Sequence, residues 1–501
     1  MYHVRSHILV VMALVAMAAC SRPSDETGAA MEAAPDVAMA MPVTTSSDDA
    51  RNHFMLGLHA MDMGRPDDAT PHFEQAIAAD PSFAYAYLAL ANASNSLEAF
   101  QSNLELASQN AAGASEAEGL LVEIAQKGLD DDPEGQLQAA RRLTEVAATS
   151  PRAWIRLGNI QGFMGTEEEA RASYQKAIEI APDFAPAYMA LGNSYLAEPR
   201  DLAAAQQAMA KAVELAPEEA VPHDLLGDTY RAQGNLELAA EEYTRTAELD
   251  TKTGSGFQQR GHVHSFMGNY DQARADYDSA IQIEKGKNAE AAFGVYRALA
   301  SVHEGNAQAA TDELNALLAR IDGMGIPEPR GQKLFILDNV IQIALHNELL
   351  DAAEQAMAAR AGLEDEQAEQ IGTESARRDA RATVILDQAW LAAVKGDYAT
   401  AAAKAGEYMT TVEPSTDPLK NRPAHAVLGY VSLSQENHDE AIGHFEQANP
   451  NSPYVMYHHA LALEGAGRTA DAKSLFQKVA GYNFNSADLA LVRADAIAKA
   501  Q

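Results

Sequence analysis

Residues 151–184 read PRAWIRLGNIQGFMGTEEEARASYQKAIEIAPDF, and this stretch decides the fold. Its apolar residues recur every three or four positions in two runs, the pattern of two amphipathic helices. Gly165 interrupts the runs where a helix end tolerates a left-handed residue, and Pro182 closes the second run because proline cannot continue a helix. Gly158 and Ala170 leave room for the two helices to approach at their crossing, while Tyr174 is placed to fill the space beside them.

The same arrangement returns along the chain at a spacing near 34. Tyr188, Leu191, Gly192, Ala205, Met209, Ala212 and Pro217 form the next copy. Leu226, Gly227, Ala239 and Tyr243 follow, then Gly261, Ala273, Tyr277 and Ala280. Leu56, Gly57, Ala69, Phe73, Ala76 and Pro81 precede them. Leu428, Gly429, Ala441, Phe445 and Ala448 lie near the C-terminus, followed by Ala460, Ala472 and Phe476. In the Leu56 copy, Pro71 is read as lying in the first turn of its helix, where the amide is unbonded anyway. Looser units are read at 84–117, 120–153, 291–324, 334–361 and 378–412. An acidic stretch, Leu363 to Glu374, separates the last two. Asn485 to Lys499 read as a single helix capping the final apolar edge.

These residues and spacings resemble the tetratricopeptide repeat family. The resemblance implies an all-α fold, an α-α superhelix of about twelve helical hairpins plus a C-terminal capping helix. Composition agrees: 47 % of residues are hydrophobic, aromatics are only 6 %, and the Ala-rich apolar set favours close-packed helices. Soft boundaries near 325, at Gly323-Met-Gly-Ile-Pro-Glu-Pro329, and at 363–374 divide the solenoid into lobes 50–324 and 325–501.

The N-terminus reads as an address. Arg5 precedes an apolar run from Ile8 to Ala19, too short to span a bilayer, which needs about 20 residues. Met17-Ala18-Ala19-Cys20 resembles a bacterial lipobox, which implies cleavage after residue 19 and acylation of Cys20. Cys20 is the sole cysteine, so no intrachain disulfide or cysteine metal cluster forms. Ser21 in place of Asp points to an outer-membrane anchor facing the periplasm. Residues 20–49 read as a lipid-anchored disordered tether.

Charge narrows the partners. With 37 basic and 71 acidic residues, the net charge of −34 opposes nucleic acid and anionic lipid surfaces. Membrane contact is therefore expected through the lipid alone. Sequence signatures of catalysis are broken: His303-Glu304 lacks a second histidine, Gly286-Lys287 is followed by Asn288, and Gly254-Ser255-Gly256 lacks a third glycine. No enzyme activity, metal or cofactor is implied.

In the family, the residue after the first-helix Gly or Ala commonly faces the concave groove. Here that slot holds Asn92, Asn159, Asn193, Asp228 and His262, against Leu58, Leu299, Tyr430 and Leu461 in flanking units. A polar ladder pairs with the backbone of an extended peptide, or serves simply as a wet inner face. Ile155 stands where a carboxylate-clamping Lys would be, which argues against that variant. The function expected is a non-catalytic protein–protein interaction scaffold of the bacterial envelope, with other proteins or extended peptide segments as partners. The alternative is a regulatory or adaptor subunit of an envelope protease or cell-wall hydrolase complex.

Overall fold

The computed structural model describes residues 41, 43–197 and 199–501 of the chain. The signal segment, Cys20 and most of the tether lie outside the described residues. Among the described residues the chain is helix and connection only, and it divides into two compact units, up to Asp250 and from Thr251.

Six hairpins make the first unit. They are α1 (Asp48–Asp62) with α2 (Pro66–Ala79), α3 (Ala84–Ala93) with α4 (Leu97–Asn110), and α5 (Glu116–Leu129) with α6 (Pro133–Val146). After these come α7 (Pro151–Phe163) with α8 (Glu167–Ile180), α9 (Ala185–Ser194) with α10 (Leu202–Leu215), and α11 (Ala220–Ala232) with α12 (Leu236–Leu249). Six more make the second unit. These are α13 (Ser255–Met267) with α14 (Tyr270–Ile283), α15 (Asn288–His303) with α16 (Ala307–Arg320), and α17 (Arg330–His346) with α18 (Leu350–Ile371). They continue with α19 (Glu374–Val394) and α20 (Tyr398–Val412), α21 (Arg422–Ser434) and α22 (His438–Phe445), and α23 (Pro453–Gly465) and α24 (Thr469–Ala480). Two short helices, α25 (Ala487–Ala490) and α26 (Arg493–Ala500), end the chain. The twelve hairpins expected from the repeat are all present.

The regular hairpins close on a glycine facing a large side chain. A Cβ added at Gly158 would fall 2.5 Å from the Tyr174 ring, and one at Gly57 would fall 2.5 Å from Phe73. Only glycine lets the second helix sit this close. The turns at Gly165 and Gly234 are left-handed as expected, with φ of 77° and 78°. Five hairpins lack the turn glycine, and in three of these Asp131, Glu348 and Glu436 take the left-handed conformation, with φ of 55°, 56° and 63°.

First helices of successive hairpins pack on one another, as α7 does on α9 and α15 on α17, whereas successive second helices do not pack closely. The first helices therefore line the tighter, inner side of each unit. In the first unit the α1–α2 turn crosses this inner side. Asp62 forks onto Arg152 of α7, Met63 packs with Ala185 and Met189 of α9, and Arg65 meets Glu219 at 3.2 Å.

Several expectations are corrected. Pro71 lies inside α2, which begins five residues earlier at Pro66. The lost bond falls on an exposed face, since both Asp67 and Pro71 are exposed. The tether does not run unstructured to residue 49. Met41 is buried, Thr44 donates its amide to the buried Glu118 carboxylate at 3.1 Å, and Thr45 donates to Asp80 at 2.6 Å. The acidic stretch 363–374 is not a linker. It is mostly the last turns of α18, ended by left-handed Gly372 (φ 74°) and the Thr373 cap of α19. The compact units part at 250/251, and the 323–329 segment lies within the second unit. There Ile321 and Ile326 are buried in the same cluster as Ile336. The C-terminal helix is broken in two, and only α26 caps the last hairpin, with Ala496 buried and Lys499 bonded to Glu464 at 2.6 Å.

Candidate binding surfaces on the inner helices

The slot residues follow the glycine or alanine on the inner helices, and in several hairpins an aromatic residue of the second helix meets them. The Tyr174 hydroxyl donates to Asn159 Oδ1 at 2.9 Å, and the Tyr243 hydroxyl to Asp228 Oδ1 at 2.7 Å. The Tyr277 hydroxyl meets His262 Nδ1 at 2.8 Å. In all three hairpins the partners are 15 residues apart. A buried phenol needs an acceptor, and the slot supplies it. Where the second helix carries Phe73, Phe445 or Phe476, the slot is Leu58, Tyr430 or Leu461 and needs no such group. Burial pushes the Tyr174, Tyr243 and Tyr277 phenols up, so each keeps its proton to donate.

The five polar slot residues therefore differ in surroundings. Asn159 is exposed although one oxygen is used. Asn193 is exposed and Asn92 half-buried; Met209 packs against the neighbouring Gly192, and neither asparagine makes a side-chain hydrogen bond among the described residues. Asp228 is half-buried and also accepts from Arg231 at 2.6 Å. His262 is buried, 4 % exposed, and belongs to the second unit. Asn92, Asn159, Asn193 and Asp228 share the first unit, and His262 lies in the second.

Two features escaped the sequence reading. One is the phenol pairing itself, whose signal was the swap of polar for apolar slot residues wherever Tyr gives way to Phe. The other is a second paired position. His53 faces His72 with Nδ1 atoms 3.5 Å apart, His425 faces His444 at 3.1 Å, and His223 bonds Glu242 at 2.6 Å. All three pairs are 19 residues apart, joining one place on the first helix to one on the second. A regular spacing of 19 between histidines was the available signal. Burial holds the His72, His425 and His444 imidazoles low. Among the described residues no group of three His, Cys, Asp or Glu side chains is arranged to hold a metal ion. None of the described helices is long and apolar enough to cross a membrane.

The fold is a solenoid of tetratricopeptide-type helical hairpins. Family models described as tetratricopeptide repeat match residues 54–116, 151–184, 255–287 and 454–482, so repeats of this family are present in both units. No curated protein matches the chain in sequence. Among solved structures, MamA is 22 % identical with a TM-score of 0.29, over 32 % of this chain and 94 % of MamA. YrrB, described as a tetratricopeptide protein with an unusual peptide-binding site, is 21 % identical with a TM-score of 0.30, over 36 % and 92 %. The C-terminal part of a repeat protein from Cytophaga hutchinsonii is 12 % identical with a TM-score of 0.36, over 51 % and 97 %.

Proposed function

We propose that the protein is a non-catalytic scaffold that holds other proteins or extended peptide segments, tethered to the bacterial envelope through an acylated Cys20. The observation that carries the scaffold reading is the inner row of the first unit. There Asn92, Asn159 and Asn193 stand on successive or near-successive first helices with donor and acceptor capacity not consumed by the fold. Carboxamides spaced along such a row pair with the alternating N–H and C=O groups of an extended chain. The fold alone does not assign a partner, so the reading rests on these side chains. The anchor reading is supported by the resemblance of Met17-Ala18-Ala19-Cys20 to a lipobox, and Ser21 in place of Asp supports the outer membrane facing the periplasm as its site.

Changing Asn92, Asn159 and Asn193 together to Ala, with Asp228 left to hold Tyr243, is expected to cut recovery of cross-linked partners from intact envelopes at least tenfold. The circular dichroism spectrum should stay unchanged. Equal recovery by the triple variant would overturn the groove assignment. Incorporation of a palmitate analogue, lost in Cys20→Ala, tests the anchor separately.

A further inference from the structure

The inner side of the second unit is already filled, and by the chain itself. After α24 the backbone turns back and lays residues 482–492 against the inner helices α15, α17 and α23. Asn485, 1 % exposed, uses its whole side chain. Its Nδ2 donates to the Tyr277 hydroxyl and to His262 Nδ1, both at 3.2 Å, and its Oδ1 accepts from His303 Nε2 at 2.9 Å. Burial lowers the His303 imidazole to about 4, so the ring is neutral and this contact assigns its proton to Nε2. Three residues on, Asp488 accepts from Gln342 and from the Ser452 hydroxyl. Leu489 is fully buried, and Ala487 and Ala490 nearly so. Arg493 closes the segment by donating to the Phe266 carbonyl at 3.1 Å and lying over that ring at 4.8 Å.

The backbone hydrogen bonds of 485–491 are made within the single turn of α25 capped by Ser486, and Val492 accepts from Ala496 of α26. The groove thus reads side chains: a carboxamide, then a carboxylate three residues on and a leucine four residues on. A carboxylate at the first place would turn repulsive oxygens toward the Tyr277 hydroxyl oxygen and His262 Nδ1, so a carboxamide is selected. Phe484, next to this turn, is 59 % exposed, a large apolar ring left in solvent at the entry.

We propose that the inner groove of the second unit is a peptide-binding site for an Asn-Ser-x-Asp-Leu turn, held closed by the chain's own residues 482–492 as an intramolecular ligand. A partner carrying such a turn binds by displacing this segment. The proposal rests on the scaffold reading but concerns the second unit, and its test needs no natural partner.

The probe is a fluorescein-labelled peptide of residues 482–492, YNFNSADLALV, added to the full chain. Tethering gives the internal segment an effective concentration on the order of 1 mM, so the wild-type groove outcompetes micromolar peptide. The wild type is expected to show no polarisation change up to about 100 μM peptide. The Asn485→Ala, Asp488→Ala, Leu489→Ala variant is expected to bind it with a Kd on the order of 10 μM, the value for a groove closed about a hundredfold. The same peptide with Asn485→Asp should bind at least tenfold more weakly. A folded triple variant that ignores the peptide, or a wild type that binds it equally, overturns the proposal.

If the triple variant unfolds, Asn485→Asp in the full chain decides. Hydrogen exchange across 482–492 should quicken at least tenfold while α13–α24 keep their protection. Unchanged exchange, or loss of protection throughout the second unit together, overturns the proposal in favour of a purely structural cap. Failure here leaves partner recovery through Asn92, Asn159 and Asn193 untouched, so the two readings fail separately.

Discussion

At the scale of single residues, the same tyrosine does two different jobs depending on what its hydroxyl meets. Tyr174 donates to Asn159, which solvent can serve, whereas Tyr277 meets the buried His262 and Asn485. Tyr174→Phe should therefore cost about 0.5–1 kcal/mol, and Tyr277→Phe about 1–3 kcal/mol, because it strands buried polar groups. Urea unfolding of the two variants checks the order, and equal losses would contradict it. Asp224 gives a pH signature. Its carboxyl is enclosed, one oxygen is without a partner, and the nearby Asp228 adds to the burial that raises it to about 8. The folded state holds the proton more tightly than the unfolded chain, whose carboxyl titrates near 3.8. The stability from this group is complete below pH 3.8 and drains away as pH rises toward 8. Asp224→Asn, neutral throughout, should gain on the wild type steadily between pH 4 and pH 8. A gap in urea midpoint that stays constant over that range would contradict the assignment.

At the scale of elements, the turns between paired helices carry the clearest strain. Glu436 is exposed and left-handed at the α21–α22 turn, where other hairpins place glycine. A side chain there costs about 1–2 kcal/mol, part of which glycine returns as unfolded-state entropy. Glu436→Gly should stabilise the chain by about 0.5–1 kcal/mol in thermal melts, without change in helicity; a destabilised variant would mean the side chain has a contact of its own. The long pair α18 and α19 shows why element boundaries were harder to read than element existence. Its extension beyond Arg360 buries only Ala368, Ala380 and Ala382 among many charged residues, a pattern too sparse to look periodic. What fixes it is polar: Arg360 reaches both Asp338 and Asp387 from a nearly enclosed position. Regular hairpins, by contrast, were legible because Gly158 with Tyr174, or Gly227 with Tyr243, is a volume constraint written in two letters. Residues 485–492 were legible only as the start of a capping helix, since nothing local distinguishes an Asn that caps from an Asn that fills a groove.

At the scale of the whole molecule, each hairpin leans chiefly on its neighbours, so stability is a sum of hairpin and interface contributions. Across that sum lies a net charge of −34. Self-repulsion at this charge opposes the compact state and is screened as the Debye length falls from about 30 Å at 0.01 M to a few ångströms near 1 M salt. Ion pairs such as Arg142–Glu116 are exposed and lose little on screening. The melting temperature should accordingly rise between 10 mM and 0.5 M NaCl, by several degrees; a fall would mean the ion pairs outweigh the repulsion. The repeat number and all-helical class were readable because the motif recurs, while the division at 250/251 was not, since Asp250 and Thr251 differ little from other inter-hairpin joints.

The phenol–slot pairing has a consequence for building with these pieces. Tyr174 and Asn159 belong to one hairpin, as do Tyr243 and Asp228, so each satisfied pair travels intact when its hairpin is cut out and spliced elsewhere. The α13–α14 hairpin is different. Its Tyr277 and His262 are completed by an amide arriving from more than 200 positions downstream, so grafting it alone exports an unfinished bond. Hairpins α7–α8 and α11–α12 are thus portable bricks, and α13–α14 is a keystone that keeps its meaning only in this arch.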